Sequence, residues 1–161
     1  MLGYCLSLLF IFHNWSIQIV YEHTKTTPEI SSQVLYLQQE ARARGIPASY
    51  LPLLLGQIET ENAKWDPKLC TPIGDCGLPQ FNRRWNRELY SRADFFDYRT
   101  QISEYLRRIK ERLDQGQTIK QALISHYSPS CATRTFTEAC TNYWAKILQN
   151  SKRFKAKILI H

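Results

Sequence analysis

Apolar positions recur at helical spacing over most of this chain, and the stretches between them carry residues that stop helices. Leu51, Leu54, Leu55 and Ile58 form one stripe and predict a helix over about 50–62, with Ser49 as its cap. Upstream, Val34, Leu35, Leu37 and Ala41 predict a helix capped by Ser31 or Ser32, running to Arg44 and ended by Gly45, Ile46 and Pro47. Downstream, Ile102, Tyr105, Leu106, Ile109 and Leu113 share one face, and Arg107, Arg108, Lys110 and Arg112 are expected to face solvent. Gly116 stops that helix. Thr118 caps the next, which carries Ile119, Ala122, Leu123 and His126 and is broken by Pro129. A last helix is expected over roughly 135–153, with Phe136, Tyr143, Trp144, Ile147 and Leu148. Residues 17–28 read as a linker, and 63–80, rich in Pro, Gly and Cys, as one long loop. No alternating strand pattern stands out beyond the first twenty residues. The expected architecture is mainly α, a small globule of packed helices.

Composition narrows this only slightly. At 161 residues and 43% hydrophobic, the chain has the length and apolar content of one folded domain, not of a disordered segment. The formal charge of +7 favours an anionic partner: nucleic acid, acidic membrane or bacterial cell wall. The basic residues are spread over the last two-thirds of the chain, and no helix-turn-helix or zinc pattern is present, which argues against nucleic acid. Residues 2–12, LGYCLSLLFIF, form an apolar run of signal-peptide length. It divides the chain into 1–20, an export signal or N-terminal hydrophobic segment, and a domain over 21–161. The competing reading of the run is a buried first helix or strand.

Four cysteines fall into two local pairs, Cys70 with Cys76 and Cys131 with Cys140, and Cys5 stands apart within the apolar run. Turn residues around each pair favour two disulfides over free thiols. The spacing does not match a zinc knuckle, so no metal is expected. Disulfides imply an oxidising compartment, periplasmic or extracellular.

The chemistry concentrates in 54–81, LLGQIETENAKWDPKLCTPIGDCGLPQF. A helix ends in two carboxylates, Glu59 and Glu61, on opposite flanks of its apolar stripe. A carboxyl at such an edge is partly desolvated, which raises its pKa toward that of a general acid working near neutrality. Helical spacing alone does not choose between the two.

The same segment resembles the soluble lytic transglycosylases, a lysozyme-like family that cleaves peptidoglycan. Trp65-Asp66-Pro67 matches the family's aromatic-Asn-Pro step. Thr71-Pro72-Ile73-Gly74-Asp75-Cys76-Gly77-Leu78-Pro79-Gln80 matches its Ser-x-x-Gly-x-x-Gly-Leu-Met-Gln block without a gap, with Thr71 for Ser and Pro79 for Met. The family acid then falls on Glu61, followed by Asn62 where the family has Ser. One residue more than the commonest spacing separates Glu61 from Pro67, which keeps Glu59 as the alternative. Residues 97–113, 122–128 (ALISHYS) and 141–147 (TNYWAKI) resemble later family segments, so the likeness runs over about 46–148.

The resemblance implies a goose-type-lysozyme-like helical globule with a long catalytic loop. It implies Glu61 as the single acid and base, with Thr71, Gln80, Tyr127 and Tyr143 binding substrate. Tyr127 is preferred to His126 for the tyrosine slot, Gly74 and Gly77 would allow tight turns, and a Cys70–Cys76 bond would brace the loop. The implied reaction cuts the MurNAc–GlcNAc bond to a 1,6-anhydro product, without cofactor, by a monomer acting on glycan strands. Its setting would be wall recycling, a secretion or conjugation machine, or a phage. Asp75 is read as a loop or surface residue, with activation of water as its other reading. Alternatives are a hydrolytic goose-type lysozyme and a non-catalytic wall-binding domain of a secretion or conjugation system.

Overall fold

The computed structural model describes residues 17–23, 27–133 and 137–160. The apolar run of 2–12, Cys5 and Phe136 lie outside the described residues. The boundary expected at residue 20 falls within a strand.

The molecule is mainly helical. Its long helices are α1 (Pro28–Ala43), α2 (Leu51–Glu61), α4 (Tyr98–Asp114), α5 (Ile119–Tyr127) and α7 (Glu138–Ser151), with the short α3 (Arg87–Ser91) and α6 (Ser130–Thr133) between them. α2 is the centre of the core. Leu51, Leu54, Leu55, Gly56, Gln57, Ile58 and Glu59 are all buried, so this helix is enclosed nearly all round. Val34, Leu37 and Ala41 of α1, Ile102, Tyr105, Leu106 and Ile109 of α4, Ala122, Leu123 and Ile124 of α5, and Ile147 of α7 complete the core.

One glycine decides how close α7 comes. A side chain at Gly56 would meet the Ile147 carbonyl oxygen at 2.7 Å and the Ser151 nitrogen at 2.7 Å. Absence of a Cβ there lets the backbones of α2 and α7 touch. That contact brings Tyr143 of α7 beside the C-terminal turn of α2.

Several expected boundaries move. α1 begins earlier than Ser31: Pro28 sits in its first turn, and the Thr27 hydroxyl accepts from the Ile30 amide at 3.3 Å. Ser49 does not cap α2. It lies within a 3₁₀ turn, Ala48–Tyr50, that leads directly into the helix. α7 starts at Glu138, capped by Thr137. Thr118 does cap α5, through a reciprocal box with Gln121.

The stretch read as a linker holds β1 (Ile17–His23), which pairs antiparallel with β4 (Phe154–Ile160), Ile17 opposite Ile160 and His23 opposite Phe154. Phe154 is buried and sets its ring edge against Trp65, 5.9 Å between centroids. Two further short strands, β2 (Asp75–Cys76) within the expected long loop and β3 (Phe81–Asn82) just past its end, form a small hairpin. Among the described residues, no helix is long and apolar enough to cross a membrane.

Candidate active site

The loop after α2 is held by a dense set of polar contacts. Asn62 donates from Nδ2 to the carbonyls of Asp66 (2.7 Å) and Gly77 (3.0 Å), tying the start of the loop to its end. Gln101 of α4 is wholly buried and holds the loop from the other side. Its Oε1 accepts from the Leu78 amide at 2.8 Å, and its Nε2 donates to the carbonyls of Pro67 (2.8 Å) and Phe95 (2.9 Å). Gly77 has φ +87°, and a Cβ there would lie 2.6 Å from the Gln101 amide, so this close approach needs glycine. Cys70 and Cys76 form a disulfide across the loop, and Cys131 and Cys140 form a second that joins α6 to α7. Among the described residues, no cluster of His, Cys, Asp and Glu is arranged to hold a metal ion.

Against this frame opens a cleft of about 700 Å³, lined by Glu61, Asp75, Gln80, Trp85, Arg108 and Tyr127 among others. A volume of this order accommodates a small ligand or part of a chain. Glu61 is partly buried in its wall. Burial pushes its carboxyl up to about 7; a hydrogen bond donated by the Tyr143 hydroxyl opposes the shift, and the nearby Asp75 charge adds to it.

Tyr143 is itself positioned by a buried polar relay. Gln57 lies one helical turn before Glu61. Its Nε2 donates to the Tyr143 oxygen at 2.7 Å and to the Leu123 carbonyl at 2.8 Å, and its Oε1 accepts from the Tyr105 hydroxyl at 2.8 Å. With Nε2 donating to it, the Tyr143 oxygen is left to donate its own proton to Glu61. The sequence offered no signal for Gln57 beyond its place between Leu54 and Ile58 on the buried face.

Glu59 has a different environment. It is buried, accepts from Trp65 Nε1 at 2.6 Å, and is ion-paired with Arg153. It does not line the cleft. Trp65, with φ 54°, is buried in the core, in line with packing and not with a sugar contact.

The other expected site residues separate into two groups. Gln80 and Tyr127 line the cleft. The amide of Gln80 donates to the carbonyls of Gly77 (2.7 Å) and Leu69 (3.3 Å), which fixes its orientation. Its Oε1 is then buried without a hydrogen-bond partner among the described residues. Gln80 also holds φ 51°, the left-handed region that non-glycine residues rarely occupy and that recurs at functional sites. Tyr127 is 52% exposed and stacks on Tyr143, centroids 4.6 Å apart.

Tyr143 and Thr71 are not cleft-lining. Tyr143 is buried and reaches Glu61 from beneath. Thr71 closes the loop turn: its hydroxyl accepts from the Asp75 amide at 3.1 Å. His126 lines the inner cleft wall. Burial depresses its pKa to about 4, and the ring's Nε2–H donates to the Pro79 carbonyl, so it is neutral near pH 7.

Arg108 and Arg112, expected to face solvent, instead line the cleft. Arg108 lies over the Phe81 ring and pairs with Glu104 at 2.7 Å, and Arg112 donates to the Ala122 carbonyl at 3.0 Å. A helical face that borders a cleft is wet, so an amphipathic pattern reads it as ordinary surface. Comparison with family models, with curated proteins and with solved structures finds no match to this chain, so the assignment of its chemistry rests on the geometry of this cleft.

Proposed function

We propose that this protein cleaves the glycan strands of peptidoglycan as a lytic transglycosylase, with Glu61 as the single proton-transferring group. The observation that carries the reading is the state of Glu61: a cleft carboxyl raised to about 7 and gripped by Tyr143. Such a group is populated both as acid and as base near neutrality. The motif likeness over 61–80 and a mainly helical domain with a braced loop also support it, and the lysozyme-like fold is part of the same proposal.

The reaction balances on this one side chain. Protonated Glu61 gives its proton to the bridging oxygen as the bond from muramyl C1 to that oxygen breaks. The carboxylate so formed takes the proton of the muramyl C6 hydroxyl as that oxygen bonds to C1. Glu61 is regenerated, and no water is consumed. Neither a metal nor an organic cofactor is required by this scheme. Gln80, with its unsatisfied Oε1, and the exposed ring of Tyr127 are the candidate substrate contacts. Two disulfides fit an enzyme that works outside the reducing cytoplasm, in the periplasm or secreted.

A second reading has a specific observation behind it. Asp75 lines the same cleft and is oriented by a hydrogen bond from Asn82 Nδ2 at 2.7 Å. A second carboxylate that activated water would make the enzyme a hydrolase. Digestion of purified peptidoglycan followed by mass spectrometry separates the two. Anhydromuramyl ends, one water lighter, are expected; hydrated reducing ends alone would favour the lysozyme reading, and no release of fragments would sink both.

A further inference from the structure

Segment 83–87, Arg-Arg-Trp-Asn-Arg, follows β3 at the mouth of the cleft. Its backbone is firmly held. The Arg83 amide donates to the Gly74 carbonyl at 2.9 Å, the Arg84 amide to Asn82 Oδ1 at 3.0 Å, and Asn86 Nδ2 to the Asn82 carbonyl at 2.7 Å. Yet four of its five side chains stand in solvent, all but that of Asn86. Trp85 is 75% exposed, with the Arg84 guanidinium 4.8 Å from its ring centroid. Arg83, Arg84 and Arg87 are all exposed, and none has an ion pair among the described residues. The neighbouring arginines differ: Arg92 pairs with Asp94, and Arg107 and Arg108 pair with Glu104.

Trp85, Asn86 and Arg108 line the Glu61 cleft and also a second groove of about 530 Å³, which Arg84 and Arg87 line with them. Arg84 and Arg87 in turn line a third depression of about 670 Å³ together with Arg83. Each depression therefore shares a wall with the next, and one chain-like ligand can run along all three. An exposed indole offers a flat face for a sugar ring. Three unpaired guanidiniums offer forks that match carboxylate or phosphate oxygens, and mutual repulsion among them is relieved by an anion.

We propose that residues 83–87 extend the cleft as a binding site for an anionic saccharide, with Trp85 stacking on a sugar and Arg83, Arg84 and Arg87 holding its carboxylate or phosphate groups. The inference rests on the glycan-cleaving reading for what fills the cleft. It adds that the bound strand must carry negative charge outside the cleavage point.

Binding is measured on insoluble peptidoglycan sacculi, using full-length protein with Glu61→Gln so that the matrix is not digested. Adding Arg83→Ala, Arg84→Ala and Arg87→Ala is expected to weaken retention about tenfold, as three modest ion pairs would, and to flatten its salt dependence. Removing three exposed cations that line none of these depressions, Lys64, Lys146 and Lys152, is expected to change it less than about twofold on the same scale. Sacculi whose carboxyls have been capped with ethanolamine, and sacculi stripped of phosphodiester-linked polymers by hydrofluoric acid, separate the anion sources. Loss of the arginine-dependent binding on the first assigns carboxylates, and loss on the second assigns phosphates.

The proposal is overturned if the triple arginine variant binds native sacculi like its parent, or if the lysine variant loses as much. It is also overturned if the same arginines bind phosphatidylglycerol vesicles more tightly than sacculi. Arginine-dependent binding by a protein whose Glu61 form releases no fragments would sink the cleavage reading and leave this one standing. Fragment release with arginine-independent binding would do the reverse.

Discussion

Glu59 and Glu61 leave the same helical turn two residues apart, on opposite flanks of one apolar stripe, and the fold treats them in opposite ways. Glu59 is enclosed by Trp65 and ion-paired with Arg153, which arrives from the far end of the chain between α7 and β4. Glu61 faces a cleft, receives a proton-donating hydroxyl from Tyr143, and has no ion pair among the described residues. A buried carboxylate with a cation is stable and chemically quiet. A buried carboxyl without one holds its proton to near neutrality, which costs stability and provides an acid. An ion pair at Glu59 and an open cleft at Glu61 are what set the two carboxyls apart.

The largest expected effects on stability come from breaking this division. Arg153→Ala removes an ion pair from the Glu59 carboxylate, whose side chain is 1% exposed, and is expected to lower unfolding stability by about 2–3 kcal/mol. Arg153 is itself half exposed, which keeps the loss below that of a fully buried pair. Urea titration at neutral pH measures it. An unchanged midpoint would mean that Glu59 does not depend on the pair.

Glu61→Gln should act in the opposite direction. A carboxyl displaced upward from 4.5 to about 7 stabilises the folded state relative to the ionised form only while it holds its proton. Below about pH 4.5 that contribution is fully present, and it is lost as pH rises through 7. The glutamine variant does not ionise, so it is expected to gain on the native protein over that window, by up to about 3 kcal/mol above pH 7, at 1.36 kcal/mol per unit. Thermal melts across pH 4–8 give the curve. Parallel curves for the two proteins would contradict the raised pKa.

Gln101→Leu sharpens the comparison from the loop side. It removes the acceptor of the buried Leu78 amide and the donor to Pro67 and Phe95, and is expected to cost about 2–3 kcal/mol. Because Gln101 bonds Leu78, two residues from Gln80, hydrogen exchange at 69–80 should rise more than in α1. Uniform loosening of both would refute a local role.

Smaller and opposed shifts are expected in the pH dependence of turnover. Tyr143→Phe deletes the hydrogen bond that favours the Glu61 carboxylate, so the alkaline limb of kcat/KM should move up, while Asp75→Asn removes a like charge and should move it down. Movements of about half to one pH unit are the scale of such single interactions. Shifts of the same sign would break the electrostatic account.

The helical frame was legible in the sequence where a stripe and a stop coincide: α2, α4 and α5 follow their apolar stripes, and Gly116, Thr118 and Pro129 punctuate them as expected. The two disulfides were legible because each closes a short local loop. The β1–β4 pair was not. Its alternation over Phe154–Ile160 is brief, and its partner lies at the other end of the chain, so no local pattern announces it. Within the site, Glu61 could be ranked above Glu59 only through the order of Trp65-Asp66-Pro67 and Thr71–Gln80. What separates the two physically is Arg153, distant in sequence. Gln57 and Gln101 were illegible for a related reason: a buried glutamine is meaningful only through carbonyls and hydroxyls that tertiary packing brings to it.

The central claim is that Glu61, and not Glu59, carries the proton in glycan cleavage. Its most direct test is the release of soluble fragments from purified peptidoglycan by the native protein, by Glu61→Gln and by Glu59→Gln, each checked for a native fold by circular dichroism. The account predicts that Glu61→Gln releases nothing above background while remaining at least as stable as the native protein. It predicts that Glu59→Gln retains turnover in proportion to the fraction folded. Undiminished release by a folded Glu61→Gln variant, or abolished release by a fully folded Glu59→Gln variant, would contradict it.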